Sequence, residues 1–311
     1  MKGLKKVLTP FAPDQSGASG VLYPMGGLTV IIDAGGCTGN VCGFDEPRWH
    51  KTRSAVFSAG LRDMDAILGR DELLASKIRN AAERIDTLFV ALVGTPVPAT
   101  IGTDYKALKR LIENKVDIPV IQIPANGMRP YNEGEKEAYK ALIGEFAKEV
   151  PEKEGSELIL GMTPLTYGSG YRDVSIDDIK NINGFKTLVA ASSSGIDALT
   201  YLGKDFEIYS PLYRNNIPPG ISGKTLVCHD EVVGKTFRDE GVMCDIATFF
   251  ELHDAIKHEG DRKITEEDEF ASMVYEGGYD TVAADICLKE LVPDYKGNWV
   301  DLKCFAISGR I

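Results

Sequence analysis

The sequence contains no apolar run approaching the roughly 20 residues a membrane span needs. Its opening, Met1-Lys2-Gly3-Leu4-Lys5-Lys6, leads into proline and aspartate instead of the apolar core of a secretion signal. A cytoplasmic protein without membrane contact is the expectation. A basic surplus is missing too. The 35 Lys and Arg stand against 46 Asp and Glu, a formal net charge of -11 that would repel nucleic acid and anionic membrane surfaces alike. No G-x-x-x-x-G-K-[ST] occurs, so the chain has no P-loop for ATP, and no G-x-G-x-x-G leads into a helix and a ribose-binding acid. The four histidines, His50, His229, His253 and His258, form no H-E-x-x-H or other zinc pattern. His253 and His258 read either as an i, i+5 ligand pair or as a solvated acidic helix end. No G-x-S-x-G elbow is present, and Ser192-Ser193-Ser194-Gly195 reads as a polar loop at a strand end, open to anion or substrate contact.

What is present is an ordinary globular composition of 43% hydrophobic and 26% charged residues over 311 positions, enough for two cores. Strand and helix signals alternate. Apolar runs at 28–32, 55–59, 87–93 and 120–123 read as strands, and amphipathic segments at 71–85, 104–114 and 133–150 read as helices. Strands at 158–160, 187–190, 224–228, 243–248 and 281–284, with helices at 231–240 and 266–276, continue the pattern. This order predicts an α/β protein with parallel-sheet, Rossmann-like domains in two lobes and a cleft between them. The charged segment Pro151-Glu152-Lys153-Glu154-Gly155 is the expected boundary, giving domains 1–152 and 153–311, with a sub-boundary near 217–222 after Asn216-Ile217-Pro218-Pro219-Gly220.

The stretch around which the chain is organised is Asp33-Ala34-Gly35-Gly36-Cys37-Thr38-Gly39-Asn40-Val41-Cys42-Gly43-Phe44-Asp45, directly after the strand run Leu28 to Ile32. Ligands of open α/β sheets sit past the carboxyl ends of strands, where the next helix starts. Four glycines let the backbone approach a bulky group closely. Two thiols in such a loop suit an iron–sulfur cluster; the other reading is a pair of inert buried cysteines, since C-x4-C is not a strong ligand spacing. Six cysteines in a long chain of this type do not form a disulfide framework.

Several stretches, in order, resemble the nitrogenase component 1 superfamily: Gly35-Gly36-Cys37 after a strand with Trp49 further on, Val56 to Gly60 before a helix, and Gly94-Thr95-Pro96-Val97-Pro98-Ala99-Thr100-Ile101-Gly102-Thr103-Asp104. Ile123 to Met128, with Gly134 and Ala138-Tyr139, extends the resemblance, which is good over residues 20 to 150 and thinner beyond. Asp301-Leu302 and Phe305 to Arg310 resemble the ending of short members. The resemblance implies a subunit that dimerises through its first domain, holds an iron–sulfur cluster at that interface, and receives electrons from a docking, ATP-hydrolysing iron protein. It puts Cys37, after Gly36, at a cluster-cysteine position and Thr95 where larger members carry another cysteine. A third family cysteine, upstream, has no thiol counterpart; Asp14 and Ser16 lie in that region.

These departures argue against an eight-iron cluster, and Cys42 supplies a different solution. In a homodimer with its twofold axis near this loop, Cys37 and Cys42 of both subunits provide the four thiolates of a shared [4Fe–4S] cluster. The chain lacks a counterpart of the cofactor-ligating histidine of larger members, which argues against a molybdenum cofactor and dinitrogen reduction. Cys228, Cys244, Cys287 and Cys304 read as structural thiols. Arg48 and Trp49 read either as lining a docking face or as a surface charge and a packing residue. Tyr167-Gly168-Ser169-Gly170-Tyr171-Arg172 is a candidate substrate loop in the cleft. Two functions are open: the catalytic component of a two-component ATP-dependent reductase acting on a small organic or tetrapyrrole-like substrate, and a non-catalytic cluster carrier or assembly scaffold.

Overall fold

The structure, a computed structural model, describes residues 5–8, 11–162, 170–303 and 308, apart from the side chains of 66 and 67. Tyr167 to Ser169, Cys304 and Phe305 to Ile307 lie outside the described residues. The chain divides into two compact units, one of Ala12–Leu158 with Thr163–Lys186, the other of Met1–Phe11, Ile159–Met162 and Thr187–Ser308. No helix among the described residues is long and apolar enough to cross a membrane.

The first unit runs α1 (Asp14–Leu22), β1 (Leu28–Ile31), α2 (Gly36–Asn40), β2 (Ala55–Ser58), α3 (Asp63–Leu68), α4 (Asp71–Ala82), β3 (Val90–Val93), α5 (Pro96–Ile101), α6 (Tyr105–Glu113), β4 (Val120–Ile123) and α7 (Tyr131–Phe146). β5 (Lys153–Leu160) and α8 (Ile176–Lys180) follow, and the division between the units falls within β5 and within β6 (Phe185–Ala190). Its sheet has the order β2-β1-β3-β4 with every pair parallel. The central strands β1 and β3 are buried along their whole length, as parallel strands covered on both faces must be. Leu28, Val30 and Ile32 alternate toward one face and share a core with Leu74, Ala75 and Ile78 of α4 and Leu108 and Ile112 of α6. The i, i+4 spacing of those helical residues sets which side of each helix is covered. Asp104 starts α6 by accepting from the N–H groups of Lys106 and Ala107, both at 3.0 Å.

α1 lies ahead of residue 28, where the sequence marks no element. Its glycines and serines have poor helix propensity, yet all nine residues are buried. The reason lies in α7. A Cβ on Gly17 would stand 2.0 Å from the Tyr131 carbonyl oxygen, and one on Gly134 only 1.7 Å from the Asp14 carbonyl oxygen, so the two backbones touch through small residues. Tertiary contact overrides propensity here.

The second unit contains α9 (Ser193–Leu202), β7 (Glu207–Ile208), β8 (Thr225–Cys228), α10 (Glu231–Asp239), β9 (Cys244–Thr248), β10 (Arg262–Lys263), α11 (Glu267–Glu276), β11 (Thr281–Ala284) and β12 (Asn298–Asp301). Five of its strands form a parallel sheet of order β10-β9-β8-β11-β12, which in chain order is the 3-2-1-4-5 arrangement of a Rossmann-like sheet. β5, β6 and β7 form a three-stranded sheet. The chain is thus α/β with parallel, doubly wound sheets.

Candidate functional site

β1 ends at Ile31, and the backbone leaves the sheet through Ile32, whose N–H still donates to the Val93 carbonyl at 2.8 Å. Gly35 then takes φ 115°, the left-handed range that favours glycine, and turns the chain into α2, which carries Cys37. α2 widens into one π-helical turn, Val41–Asp45, which carries Cys42. Such turns are rare and cluster at functional sites.

Asp33 locks this loop to the sheet. It is buried, and its carboxylate accepts from the Thr38 N–H (2.8 Å), the Thr38 hydroxyl (3.0 Å) and the Ser58 hydroxyl at the end of β2 (2.6 Å). At the far end of the loop, Asp45 accepts from the Ser16 hydroxyl at 2.7 Å and from Asn40 Nδ2 at 3.2 Å. Glu46 then caps the 3-10 turn Pro47–His50 by accepting from the Arg48 N–H at 2.8 Å. The cysteine loop is therefore held at both ends by buried carboxylates.

Both thiols are half-buried. Burial pushes the Cys37 thiol up, with the Asp33 charge adding to the effect and Thr95 opposing it. Burial, with Glu46 and Asp33, pushes Cys42 up to about 11. In a chain by itself both groups are therefore held as neutral thiols, and bound iron would supply the positive charge that favours thiolate. Beside them, Cβ atoms built on Gly36, Gly39 and Gly43 meet nothing within 4 Å, so the loop has open space on its glycine side. Soft sulfur donors next to open space fit an iron–sulfur group.

The donor set within one chain is only half of what such a group requires. Among the described residues, no group of three or more His, Cys, Asp or Glu side chains is placed to hold a metal ion. Thr95 is fully buried, and its hydroxyl donates to the Ile32 carbonyl at 2.7 Å. Asp14 is also buried; its carboxylate accepts from the N–H groups of Gln15, Asn126 and Gly127 and from Arg129 Nε, at 2.7–3.0 Å. Its role here is to fix the loop after β4. Ser16 is committed to Asp45.

Other sequence expectations resolve as structure. Arg48 is buried and ion-paired, so it is neither a surface charge nor part of an open face. Trp49 is 36% exposed, its ring centroid 6.4 Å from that of Tyr23. Cys228 and Cys244 are buried and Cys287 half-buried. Ser192 to Gly195 is not a loop open to anions: Ser192 caps α9, its hydroxyl lies 2.9 Å from that of Ser194, and the Ser193 N–H and hydroxyl donate to the Asp230 carboxylate. An internal carboxylate already stands where an anion would. His253 and His258 do not act as a pair, since the His253 ring bonds Glu231 and faces Asp197, while the His258 N–H donates to Asp261. Arg172, from the candidate substrate loop, pairs with Asp178. The two groups that sequence reasoning missed are Asp33 and the Glu46–Arg48 pair; the available signal for the first was an acid placed directly after a buried strand.

A thiol-bearing loop past the carboxyl end of a central parallel strand defines an open α/β protein with its soft donors at the ligand-binding edge. Residues 15–196 match the family model described as nitrogenase component 1 type oxidoreductase, and the chain belongs to that family. Membership implies metal–sulfur clusters, and homologues in the family work with a separate iron protein. Among solved structures, "Nitrogenase Cp1 at pH 6.5" is similar with a TM-score of 0.70 at 11% identity, covering 99% of this chain and 88% of that chain. "Nitrogenase Cp1 at pH 5" is similar with a TM-score of 0.61 at 12% identity, covering 98% and 85%. At these identities the likeness concerns the fold. Comparison with curated proteins gives no match.

Proposed function

We propose that this chain is the iron–sulfur subunit of a two-component, ATP-dependent reductase, and that Cys37 and Cys42 of two identical chains hold one [4Fe–4S] cluster between them. The observation that carries the reading is the half-set: two thiols on one open-sided loop, with Thr95, Asp14 and Ser16 all committed elsewhere. Exposed apolar side chains at the same edge of the sheet support a covered surface, Phe44 two residues past Cys42 at 58% exposure and Met128 in the loop after β4 at 86%.

When bound, the cluster supplies one-electron transfer at low potential. The protein's part is positional. Asp33 fixes the start of the cysteine loop, Asp45 and the Glu46–Arg48 pair fix its end, and Gly36 and Gly39 leave room for the inorganic core. The family's iron protein is the electron donor in this reading, and a small organic or tetrapyrrole-like molecule the acceptor. A cytoplasmic setting belongs to the same proposal.

The test is an electron-source experiment. Protein reconstituted without oxygen is mixed with a dimeric iron protein, dithionite and MgATP, and its cluster is followed by electron paramagnetic resonance. Reduction that requires MgATP supports the two-component reading. Equally fast reduction by a ferredoxin without ATP would replace it with a generic electron carrier.

A further inference from the structure

The sheet β2-β1-β3-β4 reverses its winding between β1 and β3, and ligands of open α/β proteins bind outside the carboxyl ends of strands at such a reversal. A cavity of about 200 Å³ opens there. Its floor is Ile32, just past β1, with Leu74 of α4 and Leu108 of α6, all three buried in the core. Leu61 and Ile101 form its walls. A water occupies about 30 Å³, so the space holds about six or seven groups of that size. Aliphatic and polar side chains share its lining, so it suits a short hydrocarbon chain that ends in a polar group.

The mouth is polar and acidic, with Asp65, Asp71 and Asp104 set against the single cation Arg70. Two of these acids are occupied. Asp104 accepts from the N–H groups of Lys106 and Ala107, and Asp65 accepts from the Arg62 N–H at 3.0 Å and lies 3.6 Å from Arg70 Nη1. Among the described residues, the Asp71 carboxylate and the Thr103 hydroxyl have no hydrogen-bond or ion-pair partner, and both line the cavity. An apolar floor under an unpaired carboxylate and an unpaired hydroxyl selects a ligand with an apolar body and a cationic, hydrogen-donating head.

We infer that this cavity is a binding site for a small aliphatic ammonium compound, its chain packed against Leu61 and Ile101 above the closed floor and its ammonium group donating to Asp71 and Thr103. A carboxylate head would meet the acids of the rim, and an alcohol would lose the charge interaction. The inference does not depend on the cluster, because none of these residues holds it.

Three probes of equal chain length, n-hexylammonium, hexanol and hexanoate, are titrated into the full-length protein at pH 7.5 and followed by ligand-observed saturation-transfer NMR. Hexylammonium is expected to bind about five-fold more tightly than hexanol, with hexanoate the weakest. Asp71→Asn, at an exposed position, should bring hexylammonium to the level of hexanol. Ile101→Trp, at a side chain 47% exposed on the rim, should close the mouth and abolish binding of both. Equal binding of the three probes, no binding of any, or hexylammonium binding unchanged in Asp71→Asn overturns the assignment.

Discussion

Arg48 and Glu46, on the turn just past Cys42, are joined by two parallel hydrogen bonds of 2.7 Å, Nε to Oε1 and Nη2 to Oε2, with both side chains only 2% exposed. The same guanidinium donates to the Gly20 carbonyl at 2.6 Å and to Asp173 at 2.8 Å, so it ties α1 and the segment before α8 to the cysteine loop. Burial works against its charge, but the Glu46 bonds and charge, with Asp173, more than offset it and hold the proton above the usual guanidinium range. Removing one partner of such a pair leaves a buried, uncompensated charge, which costs about 3–5 kcal/mol. Arg48→Met should therefore lower the unfolding free energy of the iron-free protein by about that amount in urea titration. A loss under about 1 kcal/mol would match an exposed pair and contradict the burial argument.

The α1–α7 crossing gives a second expectation, because an added methyl has nowhere to go at Gly134. Gly134→Ala should destabilise by at least about 1–3 kcal/mol, the usual range for overpacking. Gly39→Ala is the control; its Cβ meets nothing within 4 Å, and the change should stay within about 0.5 kcal/mol. Equal thermal shifts for the two variants would show that the helices do not touch through glycine.

His253 sets a pH dependence. The nearby Asp197 carboxylate and the hydrogen bond to Glu231 outweigh burial and raise its pKa to about 10. The folded value lies above the unfolded value of about 6.5. Its contribution to stability is therefore fully present below about pH 6.5 and is lost as pH rises through about 10. Denaturation midpoints measured from pH 6 to 10.5 should fall for the wild type more steeply than for His253→Gln. Parallel curves would mean that His253 is not held protonated between the two acids.

The strands and amphipathic helices of the first unit were legible because burial on both faces forces continuous apolar runs, as in Val90-Ala91-Leu92-Val93, and because Leu74 and Ile78, or Leu108 and Ile112, recur at helical spacing. α1 was not legible. Its helix depends on Gly17 and Gly134 meeting across a crossing that joins residues more than a hundred positions apart, and no local pattern reports that. α9 was hidden for a related reason: Ser192 to Gly195 has loop chemistry, and only the Asp230 carboxylate, from another element, satisfies the first turn. At the site, the thiols could be read from the Gly-Gly-Cys stretch after a strand. The carboxylates that hold the far end of the loop could not, because Asp45 and Glu46 look like ordinary surface acids until the structure buries them.

A cysteine series separates ligands from structural thiols. Cys37→Ser and Cys42→Ser should each strip most of the iron from anaerobically reconstituted protein while leaving the far-ultraviolet circular dichroism of the iron-free chain unchanged, since both side chains are only half-buried. Cys228→Ala and Cys244→Ala, in buried positions, should cost stability by about 1–2 kcal/mol and leave the iron content as it was. Iron retained in Cys42→Ser would remove that residue from the ligand set.

The most direct measurement is native mass spectrometry of the protein reconstituted and kept without oxygen, because it counts chains, iron and sulfide in one particle. Shared ligation by two pairs of thiolates predicts a two-chain species carrying one cluster of about four irons and four sulfides, and single chains carrying none. A single chain that holds a complete cluster, or a two-chain species free of iron after reconstitution, would contradict it.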